Sequence, residues 1–165
     1  DVVVLCPSQV YGYGDATKAS RRTQIKAAAG KSPIYTLGGT NLVGVSSVCD
    51  VIVRVANKHV GRSGTRYILA GENITIKELL DSFASAGGHP QGGPWLRLPT
   101  WLLSIICAIG EFLGSTTYTK ERLYVSTRYH WYNPSLAITD LALDTPPARD
   151  LICDSVRYMK EHHLL

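Results

Sequence analysis

DVVVLCPSQVYGYGD, from Asp1 to Asp15, begins with an uninterrupted apolar run and ends in a turn rich in glycine and tyrosine. Val2, Val3, Val4 and Leu5, without alternation, predict a strand covered on both faces in a parallel sheet. Such a strand needs neighbouring strands and crossover helices, and none stands upstream of it here, so the chain is expected to be the back part of a larger α/β protein. Pro7, which lacks an N–H, is expected to stop the ladder, and Gly12 and Gly14 to let the backbone turn tightly beside a ligand. Open parallel sheets bind ligands beyond the carboxyl ends of their strands, which makes the Pro-Ser-x-x-Tyr-Gly-x-Gly-Asp loop a candidate pocket wall. An ordinary strand-to-helix turn explains the same residues equally well.

The bulk properties are those of a globular protein of one domain or part of one: 165 residues, 45% apolar and 18% charged. The net charge of +4 arises from 17 basic and 13 acidic residues. Only Arg21-Arg22 and the Arg62, Arg66 pair cluster, so no nucleic-acid footprint is expected. Cys6, Cys49, Cys107 and Cys153 lie far apart in apolar surroundings and form no C-x-x-C, which argues against a zinc site or a disulfide framework and for a reducing, cytoplasmic setting. No targeting segment is recognisable, as expected of a fragment.

Further along, Ala16 to Gly30 predicts a helix with a basic side, and Ile34 to Leu37 a short extended piece. Leu42 to Val45 predicts a strand and Ser47 the N-cap of a helix, with Asp50 completing a capping box and Val48, Val51, Ile52, Val55 and Ala56 facing inward until Gly61. Arg66 to Ala70 predicts a strand, followed by a turn at Gly71-Glu72-Asn73. Thr75 and Glu78 then form a capping box for an amphipathic helix carrying Ile76, Leu79, Leu80, Phe83 and Ala84, stopped at Gly87-Gly88. A Pro/Gly-rich loop closes on an extended Trp95 to Leu98.

Thr100 to Gly114 is apolar nearly all round but too short to span a bilayer, and predicts a buried or pocket-covering helix. A membrane-dipping or apolar-substrate surface is the sharper alternative. A short helix is expected from Thr119 and another from Asn133-Pro134, after the aromatics Tyr129, Trp131 and Tyr132. Pro146-Pro147 open a last helix with Leu151, Ile152, Val156 and Met159 inward. His162 and His163 at its end read as dipole-compensating decoration rather than metal ligands.

No catalytic constellation is visible. Gly12 to Thr17 nearly spells the pyrophosphate-binding glycine pattern but has Thr17 for the third glycine and no acidic residue at the required distance. No G-x-S-x-G occurs, and Glu72, Glu78, Asp81 and Glu111 read as turn, cap and surface residues.

In order and spacing, VVVLCPSQVYGYGD, SSVCDVI, GRSGTRYILAGENITIKELLDSFASAGG and WYNPSLAITDLAL resemble the C-terminal half of the extended short-chain dehydrogenase/reductases. These include NAD-dependent epimerase/dehydratases, 3β-hydroxysteroid dehydrogenases and dihydroflavonol reductases. The resemblance covers essentially the whole chain. It implies an α/β fold, the C-terminal portion of a Rossmann-like NAD(P)-binding fold, with a late parallel strand and a mostly helical substrate-binding region over residues 1–165 and no second domain.

It also implies NAD or NADP held mainly by an N-terminal half, with Pro7 and Ser8 near the nicotinamide, and a substrate pocket of Val10, Tyr11, Gly12, Leu42 and Trp101. The pocket would draw on Ile34 to Val45 and on the helix after Leu98. Cys6, Tyr13, Ser47, Cys49 and Leu136 depart from the family pattern. None of the nine tyrosines has a lysine four residues later, the arrangement that lowers a catalytic tyrosine's pKa in this family, so no catalytic residue is assigned and the chain alone is expected to be inactive. A small-molecule substrate follows, with the apolar Trp101 to Leu113 stretch favouring a steroid-like alcohol or ketone over a sugar nucleotide; a homodimer and membrane-surface association through that stretch are further expectations. A non-catalytic binding module is the rival reading.

Overall fold

The apolar opening segment is extended in the computed structural model, which describes residues 2–14, 21–58, 60–112, 124 and 126–165. β1 (Val4–Pro7) pairs in parallel with β5 (Arg66–Leu69), Val4 opposite Arg66 and Pro7 opposite Leu69. The Ser8 N–H donates the last bond of this ladder to the Leu69 carbonyl at 2.9 Å. The chain then changes partner, because β2 (Gln9–Tyr11) pairs in parallel with β4 (Gly39–Gly44), Gln9 opposite Leu42. β5 continues likewise through Ala70 and Gly71 into β6 (Glu72–Thr75), on the other side of β4. Two neighbouring strands thus fork, and β4 enters between the arms.

Two expectations about this segment are corrected. The β1–β5 ladder does end at Pro7, but not through the missing N–H. Val4 and Ser8 both send their N–H groups to β5, so the nitrogen of Pro7, one residue out of phase, faces away and its missing proton removes no bond. Nor is the strand covered on both faces. Val3 and Leu5 pack on the core formed by Val43, Val51, Tyr67, Leu69 and Leu141, whereas on the other side Val4 is 41% exposed and Cys6 half-buried, so the described residues cover that face only in part.

The chain divides into two compact units, Asp1–Lys18 with Asn41–Ile74 and Trp131–Leu165, and Ala19–Thr40 with Thr75–His130. In the first, α2 (Val45–Lys58) follows β4 with no intervening loop. Ser47 is therefore a buried residue of the first turn and not an N-cap, and Asp50 is exposed. Burial of Ser47 rotates the inward stripe toward Val48, Val51 and Val55, leaving Ile52 49% exposed and Ala56 outside as well. The turn expected at Gly71 to Asn73 is instead the start of β6.

Glu72 is more than a turn residue, because its carboxylate accepts the Ala148 N–H at 2.7 Å. Ala148 opens the last helix, Ala148–Glu161, whose N-cap position holds Pro147, a residue without a capping side chain; Glu72 supplies that cap from 76 positions away. Leu151, Ile152, Val156 and Met159 are buried along this helix, as its periodicity predicts. The helix expected after Asn133-Pro134 forms over Ser135–Leu141, with Asn133 Oδ1 accepting the Ser135 N–H at 3.0 Å.

The second unit holds α1 (Arg21–Ala28), which packs on α3 (Ile76–Gly87), and the parallel pair β3 (Ile34–Tyr35) and β7 (Leu96–Arg97). The beginning of the helix read from Ala16 and the helix read from Thr119 lie outside the described residues. The capping box of α3 forms as expected: Glu78 N–H donates to Thr75 Oγ1 at 3.2 Å and Thr75 N–H to Glu78 Oε2 at 2.8 Å. These Thr75 bonds hold the Glu78 carboxyl below its ordinary value, so their contribution is present above the unfolded carboxylate pKa and is lost as pH falls through the folded one. Thr75→Ala should lower stability by about 1 kcal/mol in urea unfolding at neutral pH, with a smaller difference in acid.

α4 (Thr100–Phe112) departs from the buried helix expected. Cys107 and Gly110 are buried, but Trp101 is 66% and Phe112 90% exposed, with Ile105 and Ile109 also exposed. A helix apolar all round offers every side for burial, and the described residues of this unit cover only the Cys107 stripe. No helix among the described residues is long and apolar enough to cross a membrane.

Candidate functional site at the strand fork

The point where β1 and β5 part is filled by one polar side chain. Asn41, on β4 opposite Ser8, is 1% exposed. Its Oδ1 accepts from Ser8 Oγ at 2.6 Å on one arm and from the Gly71 N–H at 3.0 Å on the other. Its Nδ2 donates to the Gly71 carbonyl at 2.9 Å and to Asn73 Oδ1 at 2.7 Å. A buried amide is tolerated only when its groups are paired, and all four bonds are made here. Asn73 in turn brackets the Tyr132 backbone, accepting from its N–H and donating to its carbonyl, both at 3.1 Å. Close approach requires a glycine at position 71, because a Cβ there would lie 2.2 Å from the Leu42 carbonyl oxygen.

The loop beyond Ser8 is pinned to the last helix. Ser155, buried, accepts the Gly12 N–H at 3.1 Å, and its hydroxyl lies 3.1 Å from the Gly12 carbonyl and 3.0 Å from that of Leu151. Gly12 has φ +146°, and a Cβ on it would meet Val45 Cγ1 at 2.6 Å, so the turn excludes a side chain twice over. Tyr13 donates its hydroxyl to Glu161 Oε2 at 2.5 Å and packs edge-on against Tyr158 with ring centroids 4.8 Å apart. The hydrogen bond to Glu161, reinforced by that residue's charge, raises the Tyr13 pKa above its ordinary value. The folded state keeps this proton more tightly, so the latch persists below the ordinary tyrosine range and weakens as pH rises through the raised value. A difference titration of the wild type against Tyr13→Phe in the ultraviolet should show one phenol ionising late, and Glu161→Ala should bring it back.

Of the residues expected at a site, Ser8 is partly exposed at the fork and Pro7 and Val10 are exposed beside it. Tyr11 and Gly12 are buried in the turn. Leu42 is 0% exposed and belongs to the core around β4, where it has no surface to offer a ligand. Trp101 lies on α4 of the second unit. Asn41, Gly71, Asn73 and Ser155 escape a motif search because no local spacing links them; the hint is the polar pair Thr40-Asn41 running into Leu42-Val43 in one strand, where an amide must find partners across the sheet. All four cysteines are free, and Cys49 and Cys153 are exposed, against the apolar settings their neighbours suggest. Among the described residues no group of three His, Cys, Asp or Glu side chains is placed to hold a metal.

No family model matches the chain. A protein provisionally named dihydroflavonol 4-reductase from Synechocystis sp. is 25% identical over 98% of this chain and 49% of its own length. Sterol demethylase protein B of Methylococcus capsulatus is 23% identical over 100% of this chain and 52% of its own. The crystal structure of a nucleoside-diphosphate-sugar epimerase from Pseudomonas aeruginosa superposes with TM-score 0.77 at 17% identity, covering 97% of this chain and 48% of that one. The fold is that of the C-terminal half of an extended short-chain dehydrogenase/reductase. The chain spans about half the length of the curated relatives it matches. An enzyme of Bordetella bronchiseptica solved in complex with NAD+ superposes with TM-score 0.67 at 19% identity over 97% of this chain and 46% of that one.

Proposed function

We propose that this chain is the substrate-side half of an NAD(P)-dependent oxidoreductase that acts on a carbinol or ketone carbon of a steroid-like or other small apolar molecule. The observation that carries the reading is the fork: a partly exposed serine, oriented by a buried amide, at the carboxyl end of a parallel strand where neighbouring strands diverge, which is where open α/β sheets bind ligands. The uncharged Ser8 hydroxyl suits the neutral carboxamide of a nicotinamide, so the residues present fit the cofactor. Hydride exchange at the substrate carbon is what a bound nicotinamide dinucleotide supplies. Pro7 and Ser8 would orient its carboxamide, Ser155 would hold the Gly12 turn closed behind it, and Val10 and Tyr11 would border the cleft. Trp101 and the exposed apolar residues of α4 favour an apolar substrate, in keeping with the sterol and dihydroflavonol in the curated relatives' names.

The 165 residues contain no Gly-rich pyrophosphate turn and no Tyr-x-x-x-Lys pair, so proton transfer and tight cofactor binding fall to residues outside them. Two assays test the reading. The full protein carrying this chain should oxidise a hydroxysteroid or reduce a dihydroflavonol with a nicotinamide cofactor while ignoring UDP-sugars, and the isolated chain should do neither. Turnover of UDP-sugars would instead select an epimerase or dehydratase, the reading that the solved epimerase structures favour. Dehydrogenase activity in the isolated chain would overturn the division of labour, and a full protein inert with all of these would leave a binding module.

A further inference from the structure

The fork does more than place Ser8; it sets the sign of the hydrogen bond that Ser8 can offer. Backbone groups have no choice of role, since an N–H donates and a carbonyl accepts. The Tyr132 backbone therefore assigns the Asn73 amide, with Oδ1 toward the Tyr132 N–H and Nδ2 toward its carbonyl. The Gly71 backbone independently assigns the Asn41 amide, with Oδ1 toward the Gly71 N–H and Nδ2 toward its carbonyl. The bond joining the two amides, Asn41 Nδ2 to Asn73 Oδ1 at 2.7 Å, agrees with both assignments. Flipping either amide would set donor against donor and acceptor against acceptor. The atom that Asn41 turns to Ser8 is thus an acceptor, and the single Ser8 hydroxyl proton is committed to it at 2.6 Å.

We propose that Ser8 faces its ligand as a hydrogen-bond acceptor only, so that the site selects a neutral N–H donor, the carboxamide of a nicotinamide, and rejects the corresponding carboxylate, with Asn41 as the positioning residue that enforces the choice. The inference rests on the dinucleotide reading above. A nicotinic acid ring would bring two acceptor oxygens and a negative charge against the Ser8 lone pairs, leaving both sides unpaired.

The test compares binding of NAD+ and of its deamidated analogue, nicotinic acid adenine dinucleotide, to the full protein carrying this chain, by calorimetry. Wild type should bind NAD+ at least about tenfold more tightly, the factor one hydrogen bond at a desolvated site supplies. Ser8→Ala should bring the ratio toward one while remaining folded, since Asn41 Oδ1 keeps the Gly71 N–H. Ser8→Thr should restore the preference, and Asn73→Ala should keep it, because the Gly71 backbone alone still orients Asn41. Asn41→Ser, confirmed folded by circular dichroism, frees the Ser8 proton and should also abolish discrimination. An unchanged ratio in Ser8→Ala would overturn the inference while leaving the cofactor reading intact; failure of the full protein to bind either dinucleotide would overturn both.

Discussion

Asn41→Leu should destabilise the first unit by about 3–4 kcal/mol, although leucine matches asparagine closely in size. The Gly71 N–H and carbonyl lose their partner on the side filled by residue 41, which is 1% exposed and admits no water in its place, and each backbone group left unpaired against it costs about 1–3 kcal/mol. Ser8 and Asn73 lose a bond too, but Ser8 is partly exposed and Asn73 exposed, so water substitutes and they add little. Asn73→Ala should accordingly cost under about 1 kcal/mol. Urea unfolding followed by far-ultraviolet circular dichroism separates these outcomes. An Asn41→Leu variant within about 1 kcal/mol of wild type would mean that the Gly71 groups find other partners and that Asn41 does not hold the fork.

The contrast between Asn41 and Thr75 shows what a single chain of letters can and cannot reveal. Thr75 and Glu78 sit three residues apart, their capping box is local, and the helix they start has its inward residues at regular spacing, so α3 was legible together with its core face. The parallel sheet was legible in kind, because apolar strands alternating with helical periods admit few architectures. The fork was not. Whether β1 keeps one partner or exchanges it after Pro7 depends on where β4 enters from elsewhere in the sequence, and register between distant strands has no local signature. Glu72 illustrates the same limit: a Gly-Glu-Asn phrase reads as a turn, and its use as the cap of a helix 76 positions later follows only from the fold. Within the candidate site, Ser8 was reachable through family resemblance, whereas Asn41, which gives Ser8 its orientation, was reachable only through three-dimensional pairing. Ile52 and α4 failed for a related reason, since apolar spacing says which residues could be buried and not how much partner surface exists to cover them.

Gly71→Ala should have an effect nearly as large by the opposite route. Where Asn41→Leu removes partners and preserves volume, the added methyl preserves every hydrogen-bonding group and lacks room. Its Cβ would stand 2.2 Å from the Leu42 carbonyl oxygen and 3.3 Å from the Leu42 carbonyl carbon, both backbone atoms of a fully buried residue, with Val43 Cα at 3.5 Å. No side-chain rotation relieves a clash with backbone, so β4 must shift by about an ångström to reach ordinary contact. Such a shift pulls Asn41 off the Gly71 N–H and carbonyl, whose bonds at 3.0 and 2.9 Å have little slack. Overpacking alone costs about 1–3 kcal/mol, and the strained amide adds to it, so a total of about 3 kcal/mol is expected. Hydrogen exchange separates this cause from a general loosening. The Gly71 amide, which donates to Asn41, and the Ser8 amide, which closes the β1–β5 ladder, should lose protection together, whereas the Thr65 end of that ladder, four residues back from Leu69, should keep it. Uniform loss along β1 and β5 would show instead that the methyl unseats the whole sheet and that the fork has no separate rigidity.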